Sequence, residues 1–318
     1  MSVHTLDIDS GERDPIAYPN PGDYVVELKN PIYNVSKISL VSARIHASQL
    51  LINDRNNTFS VNGTTISLPN ENYSGNELAS ELLSKFQAAE AAAAGSVPIS
   101  TATYDKSKND LTFGGTASFT FEFYGGNNGF NTGSEGLTTP HDILGLPASN
   151  VTSVNNTLTT GSINLQGPDA LILKISSGAE ELNKTVYSDT PFYTGRILMC
   201  GDVINYSGVD DAVEHNFDTG AQNISKLRIQ FFYSSNNRLI PYDFRNANHV
   251  LKLSIHGIID KLKTIPNVKK DFSLPPPMRV PELEDPNRWN ALLYISMIIA
   301  TGIVFMLFTR PKIPKISG

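Results

Sequence analysis

Residues Thr58 to Leu68 read TFSVNGTTISL. Two short runs rich in β-branched and aromatic residues flank Asn62-Gly63. Asn-Gly supplies the two positive-φ residues that a type I′ turn needs, so the segment is predicted as a β-hairpin. The same pattern spreads outward. Tyr24-Val25-Val26-Glu27-Leu28 alternates, and Lys37 to Ile45 (KISLVSARI) alternates less cleanly. Further strands are expected at 101–105, 110–113, 118–124, 169–176, 196–204, 225–235 and 249–258. The runs Leu227 to Tyr233 and Val250 to Ile255 each put apolar side chains on one face. One helix stands among them. Ser74 with Glu77 three residues on fits a capping box. Leu78, Leu82 and Phe86 then recur every four residues, and an Ala-rich end closes at Gly95. Strands and helices do not alternate over any length, which argues against a parallel α/β fold.

Composition agrees. The chain has 318 residues, 40% hydrophobic and 18% charged, with 23 Gly and 19 Pro. That is long enough for a sizeable core, built with many turns and short strands. A single cysteine, Cys200, excludes an intrachain disulfide framework and a Cys-rich zinc site. The net charge of −6 excludes a basic nucleic-acid footprint over the whole chain. The charge is uneven. Residues 1–260 hold 16 Lys/Arg against 27 Asp/Glu, and residues 261–318 hold 9 against 4. An acidic body therefore carries a basic C-terminal piece, a pattern that fits an interaction arm or a membrane neighbour.

That piece contains the strongest local signal. Ala291 to Phe308 reads ALLYISMIIATGIVFMLF, 18 residues without a charge. As a helix at 1.5 Å per residue it would be about 27 Å long, close to the hydrocarbon thickness of a bilayer. Trp289 and Tyr294 stand where interfacial aromatics belong, Gly302 lies inside the span, and Arg288, Arg310, Lys312 and Lys315 flank it. A single-pass C-terminal membrane anchor is expected. The polar, acidic start MSVHTLDIDSGERD is not a signal peptide, so the body is expected to fold in a cytosol-like compartment. Six prolines within residues 264–286 make a semi-rigid, extended spacer between body and anchor.

A search for chemistry finds none. There is no phosphate loop, no Gly-x-Ser-x-Gly elbow and no His-Glu-x-x-His. The six histidines are scattered, and no two show metal-ligand spacing on one element. Asp7 to Glu12 fails as a calcium loop, because its glycine falls one place early and position twelve is Tyr18. Asp210-Asp211 with His215 reads as a solvated strand approach rather than a metal patch. Cys200 sits in an apolar stretch and reads as an inert buried thiol. Nine Asn-x-Ser/Thr triplets read as turn chemistry, not as glycosylation sites. No enzyme activity, cofactor, metal or small-molecule substrate is expected.

The N-terminal stretch carries a family likeness. It reads Asp9-Ser10-Gly11-Glu12-Arg13-Asp14, then Tyr18-Pro19-Asn20-Pro21-Gly22-Asp23-Tyr24, then Val26-Glu27-Leu28. Pro31 to Val35, Ile38 to Ile45, Tyr73 to Leu78, Ile143-Leu144-Gly145-Leu146 and Leu165-Gln166-Gly167-Pro168-Asp169 extend the pattern in patches across about residues 9–176. This resembles the minor capsid proteins of large icosahedral double-stranded DNA viruses of the chlorovirus and phycodnavirus kind. The resemblance implies jelly-roll-like β domains, no catalysis and a place beneath the major capsid shell. The physical reading of the motif is an extended arm stiffened by Pro19 and Pro21, which either buries itself in adjacent subunits or packs on its own sandwich. Its candidate contacts to other subunits are Arg13, Tyr18, Pro19, Pro21 and Tyr24, with Arg13 pairing locally between Asp9 and Asp14 or with a neighbour.

The expected organisation is then a mainly β chain. An arm over 1–21 leads into a jelly-roll-like β-sandwich body over 22–260, with an inserted hairpin-helix region at about 58–146. A proline-rich linker over 261–288, a transmembrane helix over 289–308 and a basic tail over 309–318 follow. The expected function is a minor capsid protein that tethers the capsid shell to the inner viral membrane. Its partners would be major and minor capsid proteins and membrane lipid, with no specific nucleic acid, and its place the virion, between shell and membrane. Three rivals stand beside it. A protein of host attachment or membrane fusion should show a second apolar segment. A cellular tail-anchored adaptor would make the N-terminal motifs coincidence. A carbohydrate-binding sandwich would lack an indole platform, since Trp289 is at the membrane.

Overall fold

The structure is a computed structural model. It describes residues 2–178, 180–182, 195–199, 203–206, 214–217, 222–258 and 290–309. Two compact units are present, residues 1–259 and 260–318.

The first unit opens with β1 (Ser2–Asp9), a 3-10 turn (Ser10–Glu12) and β2 (Asp23–His46). An insertion follows: β3 (Thr58–Val61), β4 (Thr64–Ser67), α1 (Gly75–Ala92), β5 (Ile99–Asp105), β6 (Asp110–Gly115), β7 (Thr120–Glu122), β8 (Asn150–Thr152) and β9 (Thr157–Thr159). The chain then returns to the body with β10 (Ala170–Ser177), β11 (Glu180–Glu181), β12 (Gly195–Leu198), β13 (Val203–Tyr206), β14 (Glu214–Asn216), β15 (Gln222–Ser235), β16 (Arg238–Pro241) and β17 (Val250–Gly257).

The body is one antiparallel sheet in the order β1-β17-β2-β15-β10-β11, with β12 on β10, β13 and β14 on β2, and β16 on β15. It curls because of β2. That strand has 24 residues, about 80 Å at ~3.3 Å per residue, too long to stay flat in a domain of this size. Its first half pairs with β15 from Asp23 to Val35, and its second half pairs with β17 from Val35 to Arg44. Register shifts interrupt both ladders, and Asn34 at the junction has φ 56°. Bulges of this kind bend a strand and raise its twist. The sheet thereby closes round one apolar core, to which Ile8, Tyr24, Ile38, Leu40, Leu173, Ile229, Phe231, Leu253 and Ile255 all belong. The sequence reads as two strands parted by turn residues. The structure runs one strand through both, and Asn30-Pro31 and Asn34 mark a bend rather than a break.

The insertion has its own core. The sheet β4-β3-β7-β8, the sheet β5-β6-β9 and α1 enclose a second apolar cluster. The expected hairpin is present, with Asn62 at φ 47° and Gly63 at φ 79°. The expected capping box is present too. The Glu77 N–H donates to Ser74 Oγ, and the Ser74 N–H donates to Glu77 Oε2 at 2.8 Å. Leu78, Leu82 and Phe86 are all fully buried. The helix stops at Ala92, short of Gly95. The Glu90 carboxylate takes the N–H groups of Gly95 and Val97 at 2.6 and 2.7 Å and turns the chain away. The insertion also extends past the expected limit at 146, because β8 and β9 complete its two sheets.

Residues 2–9 pack on their own sheet, the second of the two readings of the arm, since β1 pairs with β17 from Ser2↔Gly257 to Asp9↔Val250. The expected strand at 196–204 is two strands, β12 and β13, on different neighbours. Cys200, Asp210-Asp211 and the proline-rich linker lie outside the described residues.

The second unit contributes α2 (Asn290–Phe308), 19 residues without a charge. It is the one helix among the described residues long and apolar enough to cross a membrane.

Candidate functional site

Two places carried the sequence expectations, the N-terminal motif and the C-terminal helix. In the first, the motif turns inward. Asp9 caps the 3-10 turn by accepting the Gly11 N–H at 2.8 Å. The Ser10 N–H donates to the His249 carbonyl at 3.0 Å, and the His249 N–H donates to Ser10 Oγ at 2.8 Å. Arg13 then ties the loop together. Its guanidinium donates to the carbonyls of Ser10 (2.7 Å), Tyr18 (2.9 Å) and Pro19 (3.2 Å) and to Asn248 Oδ1 (2.9 Å). It does not pair with Asp9 or Asp14 as expected. Those carboxylates accept backbone N–H groups instead, Asp14 from Ile16 and Ala17. A guanidinium has five donors in a planar fork, and a loop that must return its chain offers carbonyls in that arrangement.

The Tyr-Pro-Asn-Pro-Gly-Asp-Tyr element continues the staple. Asn20 Oδ1 accepts the Gly22 N–H at 2.8 Å. A Cβ at Gly22 would lie 3.0 Å from the Tyr242 carbonyl oxygen and 3.3 Å from the Phe244 ring, so a larger residue would have to press its neighbours back by a few tenths of an ångström. The Asp23 carboxylate accepts two bonds from Arg228, at 2.8 and 2.7 Å, and one from Gln230. The Tyr24 hydroxyl meets His249 Nε2 at 3.0 Å. His249 is packed among Tyr24, Phe231 and Phe244, with ring centroids 5.6, 4.7 and 4.8 Å away. Burial, assisted by the Arg13 cation, holds its imidazole down to a pKa of about 3, so the ring is neutral. Its Nδ1 has no hydrogen-bond partner among the described residues. Burial pushes the Tyr24 phenol up.

Of the candidate contact set, Tyr24 and Pro21 are buried in their own chain. Arg13 and Tyr18 are half-buried, and Pro19 is exposed beside Ile16, which is 92% exposed. Neither His249 nor Asn248 was foreseen, and no local signal marks them, because they reach the motif across more than 230 positions of sequence.

In the second place, α2 presents every described side chain outward. Tyr294 is 66% exposed and Phe308 87%, and a Cβ at Gly302 would meet nothing within 4 Å. Its polar groups are answered inside the helix, since Ser296 donates to the Leu293 carbonyl and Thr301 to that of Met297. Such back-bonding lets hydroxyls sit in hydrocarbon. Ala291 lies in the first turn of the helix. Trp289, Arg288, Arg310, Lys312 and Lys315 lie outside the described residues. Among the described residues no group of three potential metal ligands converges.

The sequence pattern of the "Family of unknown function (DUF5901)" matches residues 2–239, and the chain belongs to that family. No curated protein matches. Among solved structures, the mavirus penton protein is 9% identical, covers 80% of this chain and 99% of its own, and has a TM-score of 0.40. A chain of the Sputnik virophage is 10% identical, covers 80% of this chain and 98% of its own, and has the same TM-score. Two chains at that score need not share a fold.

Proposed function

We propose that this DUF5901 member is a structural protein of a virus particle that tethers a capsid shell to an inner membrane. The β body would contact major and minor capsid proteins, and α2 would enter the bilayer. The observation that carries the reading is α2 itself. It has 19 uncharged residues, about 28 Å of helix, with no described side chain buried. An apolar surface of that size in water would drive association at once, and lipid removes that cost. The likeness of the N-terminal and inner motifs to minor capsid proteins supports the virion half of the reading. The body supports it as well, since its charged and polar motif residues are spent on internal bonds rather than gathered round a reacting centre. The proline-rich linker would let the body stand off the bilayer, and Arg310, Lys312 and Lys315 would meet anionic headgroups at about 1 kcal/mol each.

Liposome flotation tests it. The full chain is expected to float with anionic vesicles, and a chain lacking 289–318 to stay in the soluble fraction as folded protein. A truncated chain that still floats sinks the tether.

A further inference from the structure

The N-terminal segment over residues 2–19 is lightly held. Within it only Ile8 and Ser10 are buried, with Leu6 and Tyr18 half-buried against the core. Its first half is held by the β1–β17 ladder and by an exposed pair of Asp7 with Lys252 at 3.5 Å. Its second half is fastened at one place. From Ser10 to Pro19, the hydrogen bonds that leave the segment reach only Asn248 and His249 among the described residues. Ser10 exchanges two bonds with the His249 backbone and its hydroxyl meets Asn248 Oδ1 at 3.4 Å, and Arg13 donates to the same Asn248 oxygen at 2.9 Å. A stretch with few buried apolar contacts opens at less cost than the sheet it lies on.

The residue at that fastening has no room for a proton. A charged imidazole carries N–H at both ring nitrogens, and each then needs an acceptor. Nε2 of His249 has the Tyr24 hydroxyl, but the buried Nδ1 has no partner among the described residues. The charged groups that act on the ring are Arg13 and Asp9, both from the segment. Arg13 repels a proton, and the Asp9 carboxylate is taken up by the Gly11 N–H. The other elements answer with no charge: Tyr24 from β2, a phenol that burial keeps neutral, Phe231 from β15, and Phe244 from the loop before β17. Those three side chains are fully buried in the core, so the one wall round His249 that can leave cheaply is the segment that brings Arg13.

We propose that His249 is a proton lock on the N-terminal segment: the neutral ring keeps residues 2–19 docked, and its protonation in acid releases them while the rest of the body stays folded. Release takes the Arg13 cation away from the ring and uncovers the backbone edge of β17 from Val250 to Gly257. The device depends on neither the membrane nor the capsid reading. Its direction follows from linkage. The docked ring is held down to a pKa of about 3, and a released ring returns toward the ordinary value near 6.5. Docking is therefore fully favoured above pH 6.5. As pH falls from there toward 3, the released form gains about tenfold per pH unit, or about a hundredfold by pH 4.5.

Hydrogen–deuterium exchange of the full chain in detergent, at pH 7 and pH 4.5 and corrected for the intrinsic rate at each pH, tests the lock. Amides of residues 2–10 are expected to lose about a hundredfold in protection between the two. At pH 4.5 they should also exchange far faster than those of β15, which reports on the body as a whole. His249→Phe keeps an aromatic ring among Tyr24, Phe231 and Phe244 but cannot titrate, and should hold the loss over residues 2–10 below about threefold; His249→Gln serves in its place if that variant does not fold. His4 and His256 stand on the same two strands, and His4→Gln and His256→Gln should each keep the parent's hundredfold loss. Equal protection of β1 and β15 at pH 4.5 overturns the proposal, because the body would then open as one unit. So does protection over residues 2–10 that ignores pH, a full loss that persists without His249, or a loss abolished by replacing His4 or His256.

Discussion

The insertion and the body solve the same problem over different distances. The insertion assembles between residues 58 and 159, with each strand paired to a partner inside that range. Its centre is a set of six phenylalanines, with Phe121 in contact with the rings of Phe59, Phe86, Phe113, Phe119 and Phe123 at centroid distances of 5.2–6.0 Å. The body instead joins Ser2 to Gly257 and Asp23 to Gln230, and centres on a neutral histidine held by a tyrosine. Local pairing forms early and can stand alone, whereas long-range pairing must close large loops before it gains anything. Local pairing of this kind predicts an insertion that unfolds on its own, and a body whose integrity depends on both ends of the first unit.

The largest effect should come from Phe121→Ala. It removes the ring that touches five others and leaves a cavity, a change worth about 3–5 kcal/mol. If the modules are independent, denaturant unfolding followed by near-UV circular dichroism should split into two transitions, with only the insertion's moved to lower denaturant. A single transition shifted as a whole would make the first unit one cooperative block.

Acid should act in the opposite place. His249 has a folded pKa of about 3 against an ordinary value near 6.5, so the unfolded chain binds a proton that the folded body refuses. Stability from this group is complete above pH 6.5 and falls as pH drops toward 3, by about 1.4 kcal/mol per pH unit within that window. His141 in the insertion is also pushed down by burial, but the neighbouring Asp142 carboxylate opposes that shift, so its own acid loss should be shallower. Melting temperatures of the full chain between pH 7 and pH 4 are expected to fall, and His249→Gln should flatten most of that slope while lowering the neutral-pH value. An unchanged slope in the variant would mean that another group governs the body's acid response.

The same contrast decides what could be read beforehand. Where structure is set by neighbours in sequence, the residues announce it: Asn62-Gly63 for the hairpin, Ser74 and Glu77 for the helix start, an uncharged run for α2. Asn236-Asn237, at φ 42° and 64°, is a turn signal of the same kind for the β15–β16 hairpin. Where structure is set across the fold, the residues mislead. β1 reads SVHTLDID, with no clean alternation, because it is an edge strand that buries chiefly Ile8 and half-buries Leu6. The Asp9 to Tyr24 motif reads as an arm for other subunits because Arg13's partners include Asn248, which no pattern near residue 13 reveals.

Ser74→Ala deletes one half of an exposed capping box, and loss of such a cap costs about 1 kcal/mol. The change touches nothing in the body, so it should shift the insertion's transition alone. Its pH behaviour gives a second handle. The Ser74 N–H and hydroxyl hold the Glu77 carboxyl below its ordinary value of 4.5. The stability this adds is present above pH 4.5 and lost only as pH falls further, through the folded value. Between pH 6.5 and 4.5, then, the cap is intact while the body is already losing the contribution of neutral His249. Ser74→Ala and the parent should therefore differ by a constant amount over that interval, measured on the insertion's transition, and converge only below it. A difference that shrinks in step with the body's acid loss would show that α1 is coupled to the long-range sheet, and that the insertion is less self-sufficient than its local pairing implies.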